Sequence, residues 1–182
     1  MELNSLSDVL IEELADLYSA EQQLIVALPL MAAAAHAYEL RNAFESHFEE
    51  TRTHVERLEQ AFADMELLLP SQTCKAMKGL TQEAGDIIKA TGDPVAIDVA
   101  LIGAAQRIEH YEIAGYGTAR ALADELDLKS TSDLLEQTLE DEGNADKLLT
   151  KLAAGGRLSS GINRVAAERQ VELVGSDNDA PD

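Results

Sequence analysis

Apolar residues recur along this chain at alternating steps of three and four, the spacing that lines them up on one face of a helix. One series runs Leu10, Leu14, Leu17, Glu21, Leu24, Leu28, Met31, Ala35. A second runs Phe44, His47, Thr51, His54, Leu58, Ala61, Met65. A third runs Leu101, Ala105, Ile108, Glu112, Gly115, Ala119, Leu122, Leu126, and a fourth Leu135, Thr138, Glu142, Ala145, Leu149, Leu152. These series predict four long helices. The first starts near Ser5, where Asp8 three residues on makes a variant of the capping box, and runs to about Ala37 with a kink at Pro29. A turn over Tyr38 to Asn42 precedes the second, which ends before Pro70. A shorter helix is predicted over about Thr73 to Ala90 and is broken by Thr91-Gly92-Asp93-Pro94. The third long helix runs from Pro94 to about Leu126, and the fourth from Thr131 to Ala154, stopped by Gly155-Gly156. A last short helix fits Ile162 to Val174.

Four long helices with short or moderate connections predict an all-α antiparallel four-helix bundle, with extra short helices in the crossover and at the C-terminus. No internal boundary is apparent, so residues 1–174 read as one domain and 175–182 as a disordered acidic tail.

Each stripe carries a polar intruder near mid-length: Glu21, Glu112 and Glu142 on three helices, and His47 with His54 on the second. A lone buried carboxylate costs several kcal/mol, so an isolated intruder ordinarily reaches for water or a bundle end. Intruders on all four helices instead predict a shared positive partner, and few basic residues lie on these stripes. A pair of metal ions satisfies them together. Residues four apart share a helix face, so Glu50 with His54, and Glu142 with Asp146, can reach one point. Mixed carboxylate and imidazole donors suit iron or manganese better than copper(I).

Composition narrows the alternatives. Hydrophobic residues make up 46% but aromatics only 4%, so Ala and Leu must fill the core, which suits closely packed helices. A net charge of −20 argues against nucleic acid and against anionic membranes as partners. No apolar run reaches the roughly 18 residues of a membrane span, and the N-terminus lacks a basic leader, which predicts a cytoplasmic protein. The single cysteine, Cys74, forms no intramolecular disulfide and rules out a zinc-finger-type site; it reads as an inert residue.

The segments Asp16-Leu17-Tyr18-Ser19-Ala20-Glu21-Gln22-Gln23-Leu24, Ser46-His47-Phe48-Glu49-Glu50-Thr51 and Ile108-Glu109-His110-Tyr111-Glu112-Ile113-Ala114 resemble the bacterial YciF/YciE stress-response family. So does Cys74-Lys75-Ala76-Met77-Lys78-Gly79-Leu80, and the resemblance covers about residues 5 to 153. It implies a ferritin-like bundle, often dimeric, with a rubrerythrin-like centre of two iron ions, or manganese in their place. Carried over by position, Glu21 and Glu112 are the single-helix carboxylates, Glu50 and Glu142 the bridging ligands, and His54 and Asp146 the terminal ligands. The usual ferritin-like motif puts His three residues after Glu, whereas Thr53 and Ala145 stand there in this chain. Outside that ligand set, His47 reads either as a ligand or as an orienting group, and Glu109 either as an outer acid or as a surface residue. Tyr18 and Tyr116, one turn from Glu21 and Glu112, read as donors to ligands or as core.

The expected function is a di-metal protein of the stress response acting on O2 or peroxide, as a homodimer. Iron binding without turnover, and a structural or interaction role around a vestigial site, are the alternatives.

Overall fold

The computed structural model describes residues 2–156 and 160–176, with side chains as far as residue 170. Six helices follow in order: α1 (Leu6–Ala34), α2 (Tyr38–Asp64), α3 (Lys75–Ile88), α4 (Pro94–Glu125), α5 (Lys129–Ala154) and α6 (Ile162–Ser176). The only bridge of β type among the described residues joins Gly155 to Ser160. The tail expected over 175–182 falls, beyond Ser176, outside the described residues.

Local chemistry explains most boundaries. Ser5 Oγ accepts from the Asp8 amide at 3.1 Å, and the Asp8 carboxylate accepts from the Asn4 amide at 2.9 Å. Asp93 caps α4 by accepting from Val95 and Ala96 N–H, with Pro94 in the first turn. Cys74 is the N-cap of α3, its sulfur accepting from the Met77 amide. Burial pushes this thiol above its ordinary pKa, as suits a structural residue.

Two expectations are corrected. No turn occupies Tyr38 to Asn42: α1 ends at Ala34, and α2 begins at Tyr38. The cause is a long-range cap, because the buried Asp98 carboxylate of α4 accepts from both His36 and Ala37 N–H at 2.8 Å. That cap satisfies amides at the start of α2 which have no local partner. α5 likewise begins at Lys129 rather than Thr131.

The 35–37 link makes α1 and α2 a hairpin, and the 126–128 link does the same for α4 and α5. The hairpins pack through α1 against α4 and α2 against α5, with α3 covering α1 and α4. Apolar burial divides into two clusters. One, toward one end of the bundle, holds Leu24, Leu28, Met31, Phe44, Leu101 and Ile108. The other holds Leu10, Leu14, Leu17, Leu58, Phe62, Ala119 and Leu135. Between Leu17 and Leu24 on α1, and between Ile108 and Ala119 on α4, the bundle interior turns polar. Gly115 permits the close approach of α1 and α4 there, since a Cβ at this position would lie 2.8 Å from Leu17 Cδ2.

Candidate metal centre

The polar layer is assembled from all four long helices. α1 contributes Glu21, α2 contributes His47, Thr51 and His54, α4 contributes Glu109 and Glu112, and α5 contributes Glu142; all are buried. Their donor atoms fall into two groups, each with all its atoms within 4.8 Å of one another. One is His47, Glu109, Glu112 and Glu142; the other is Glu21, His54 and Glu142. Glu142 belongs to both.

Of the residues singled out from sequence, the fold brings together Glu21, His54, Glu112 and Glu142. Glu50 stands apart from both groups: its side chain is 47% exposed, and its Oε2 lies 3.2 Å from His47 Nδ1. It therefore sits behind the imidazole, away from the cluster. Asp146 faces another way, accepting from Gln106 at 3.1 Å and lying 3.3 Å from the exposed His110. It is a turn beyond Glu142, about 6 Å along the axis, and this displaces it from the layer. His47 and Glu109, left out of the ligand set by sequence, lie within the cluster of donor atoms. The signal for both was present: His47 is a stripe intruder, and Glu109 precedes Glu112 by three residues on the same face. The imidazole missing from α5 is matched by a second one on α2, so the donors divide one, two, two and one over α1, α2, α4 and α5.

Both imidazoles are aimed by carboxylates outside the cluster. His54 turns Nδ1 inward, 2.9 Å from Glu142 Oε1 and 3.4 Å from Glu21 Oε1. Its Nε2 lies 3.4 Å from Asp141, which Arg57 holds at 2.7 Å. His47 turns Nε2 inward, 3.5 Å from Glu109 and from Glu142, with Nδ1 on Glu50. The His47–Glu50 hydrogen bond is the carboxylate–histidine arrangement that fixes ring orientation at metal sites, and Asp141 faces His54 in the same sense at ion-pair distance. Tyr116, fully buried, donates to Glu21 Oε1 at 2.5 Å. Asp141→Ala should therefore weaken metal binding roughly 10- to 100-fold, measured by chelator competition, with helix content unchanged. Unchanged affinity would show that Asp141 does not orient His54.

Whether these residues suit metal ions can be judged from their unmet bonding. Glu21 Oε2, Glu109 Oε2, both carboxyl oxygens of Glu112 and of Glu142, His47 Nε2 and both ring nitrogens of His54 are buried without a hydrogen-bond partner among the described residues. Orphaned atoms are rare in native interiors, and this many in one layer is the mark of an absent shared partner. Four carboxylates and two neutral imidazoles carry a charge that two divalent cations would cancel. The residues fit.

Without metal, three of the four carboxyls resist ionisation. Burial, then neighbouring carboxylates, push Glu112 well above the ordinary carboxylate range. Burial likewise raises Glu109 strongly and Glu21 as well. Burial would also raise Glu142, but the close approach of the His54 imidazole and the charges of His47 and His54 together bring it below its usual value. Burial would lower both histidines, yet Glu109 and Glu50 around His47, and Glu142 and Glu21 around His54, bring each up to about 10. The consequence for stability has one sign above neutrality. Groups whose folded pKa is raised stabilise the fold below their unfolded pKa and lose that contribution as pH rises through the folded value. Metal-free protein should therefore lose thermal stability progressively from about pH 6.5 to pH 10. Added manganese should stabilise it more as pH rises, because metal displaces the same protons. Melting curves in chelator and in manganese across that range check this; a gap that narrows with pH would contradict it.

Residues 5–166 match the family described as "Domain of unknown function (DUF892)". The chain belongs to this family. A DUF892 relative, protein YciF of Escherichia coli (strain K12), is 43% identical over 154 residues, covering 84% of this chain and 93% of that protein. The crystal structure of the E. coli stress protein YciF superposes with a TM-score of 0.80, covering 82% of this chain and 94% of that one. YcfI of Rhodopseudomonas palustris, whose description proposes a structural role, gives a TM-score of 0.81 at 36% identity, covering 84% and 97%. A Xanthomonas campestris protein at 20% identity gives 0.64 over 80% of this chain and 88% of that one, a likeness of fold alone. Family membership and the all-α bundle thus agree with the resemblance seen in the sequence. No described helix is long and apolar enough to cross a membrane.

Proposed function

We propose that this protein binds two transition-metal ions, iron or manganese, in the layer between its two apolar clusters, and uses them in oxidant chemistry during stress. The observation that carries this reading is Glu142, a buried carboxylate that is common to two donor groups and neither of whose oxygens has a hydrogen-bond partner among the described residues. A carboxylate between two cations is what holds such a pair close, and bound iron would supply the one-electron redox steps. The chain's own residues have the remaining tasks. Glu21, His54, Glu109, Glu112, His47 and Glu142 bind and neutralise. Tyr116 fixes Glu21, Asp141 and Glu50 fix the imidazoles, and the apolar clusters on either side exclude water. The description of the E. coli relative as a stress protein agrees with this role.

Elemental analysis of tag-free protein tests it. About two iron or manganese ions per chain are expected, as the ferritin-like bundles of this ligand type hold. Protein that arrives metal-free and also refuses Fe(II) under anaerobic conditions would remove the di-metal reading. The structural role proposed for the R. palustris relative would then be the better account.

A further inference from the structure

A cavity of about 110 Å3 opens between α2, α4 and α5. His47 and Glu109, both buried members of the metal cluster, form part of its lining, together with Phe44, Leu149 and the exposed Leu148. His47 and Glu109 reach inward to the candidate metals, Ser46, Glu50 and Asn144 add polar groups to the wall, and Phe44, Leu148 and Leu149 make its apolar side. Glu109 Oε2 and His47 Nε2 have no partner among the described residues.

We propose that this cavity is the binding port for a small amphiphile, and, where the di-metal reading of the preceding section holds, that its ligand is a short-chain organic hydroperoxide. Three features select that class. The volume limits what can be enclosed: an apolar cavity of about 150 Å3 suffices for benzene, so one of about 110 Å3 encloses no more than about the six heavy atoms of benzene. The wall of Phe44, Leu148 and Leu149 rewards an apolar body, which hydrogen peroxide lacks. The carboxylate of Glu109, in a chain of net charge −20, disfavours an anion and favours a neutral head that can donate a hydrogen bond. A hydroperoxide with a four-carbon body meets all three, its O–O–H end toward Glu109 and its alkyl end against Phe44 and Leu149.

The test uses tert-butyl alcohol as an inert analogue and Ala145→Phe, which narrows the cavity from α5 without changing a member of the cluster. In metal-free protein, intermolecular NOEs should connect the tert-butyl protons to the Leu149 and Ala145 methyl groups, and those to Leu149 should vanish in Ala145→Phe. Their absence in the unmodified protein would overturn the port. In iron-loaded protein, the rate of ferrous oxidation by tert-butyl hydroperoxide relative to hydrogen peroxide should fall about tenfold in Ala145→Phe, the scale on which small pockets discriminate alkyl bulk. An unchanged ratio at normal iron content would overturn the port and leave the metal centre standing. Intact NOEs in a protein that takes no iron would overturn the hydroperoxide assignment along with the metal reading. Leu148→Trp, at an exposed position, should give the same signature if Ala145→Phe does not fold.

Discussion

Glu142→Ala should weaken both halves of the centre at once, emptying the half left with only Glu21 and His54 and loosening the ion left to His47, Glu109 and Glu112, because both donor groups include this carboxylate. Glu21→Ala should be milder. It strips one group to His54 and Glu142, while the other keeps His47, Glu109, Glu112 and Glu142, so about one ion should remain. The comparison is a matter of counting by elemental analysis across a manganese titration, with circular dichroism to show that both variants remain helical. Equal losses of ions and of affinity from the two variants would mean that the groups are not separable sites sharing one ligand. Retention of both ions in Glu142→Ala would remove the bridge and, with it, the observation on which the proposed function rests.

The second large effect has opposite signs with and without metal. Glu112 is fully buried, neither of its carboxyl oxygens has a partner among the described residues, and Glu21, Glu142 and Glu109 crowd it with like charge. In metal-free protein Glu112→Leu replaces that liability by a side chain of similar volume. It should stabilise the fold by about 1–4 kcal/mol, as when other buried charged groups are replaced by packed apolar ones. For a chain of this length that is roughly 2–4 °C in melting temperature per kcal/mol. In manganese-saturated protein the order should invert, since the variant forfeits the stabilisation that ligand binding gives the native state. Denaturant titrations in chelator and in excess manganese give both numbers. Destabilisation of the metal-free protein by Glu112→Leu would show that protons shared within the cluster already satisfy this carboxyl, and that the layer stands without metal.

These two expectations depend unequally on sequence and on fold. The leucine series on α1, with Glu21 interrupting it, could be read directly, because side chains at steps of three and four must share a helix face. The same logic gave Glu112 on α4 and Glu142 on α5. It worked because a carboxylate within an otherwise apolar stripe has nowhere to go except the interior at that level. α2 was less legible. Its mean composition is polar, and although periodicity put His47, Thr51 and His54 on the stripe, the four-residue spacing of Glu50 to His54 offered a second reading. The motif analogy favoured Glu50, whereas the inward face is the one carrying His47, Thr51 and His54. Asp146 lies apart from the cluster for a different reason. A common helix face is no guarantee of a common depth, and one turn along α5 is enough to meet Gln106 and His110 of α4 instead of the cluster.

What the sequence by itself determined was the set of helices, the cap at Ser5, the break before Pro94, and a polar level crossing an apolar bundle, all consequences of local periodicity and local hydrogen bonding. What only the tertiary structure decided was every relation between helices. Asp98 starting α2 from a distance of about sixty residues, the pairing of Asp141 with His54, the placement of Glu109 beside His47, and Glu142 between two donor groups are of this kind. Each depends on the axial offset and rotation of one helix against another, set by side-chain interlock over the whole length of the bundle and by the close approach allowed at Gly115.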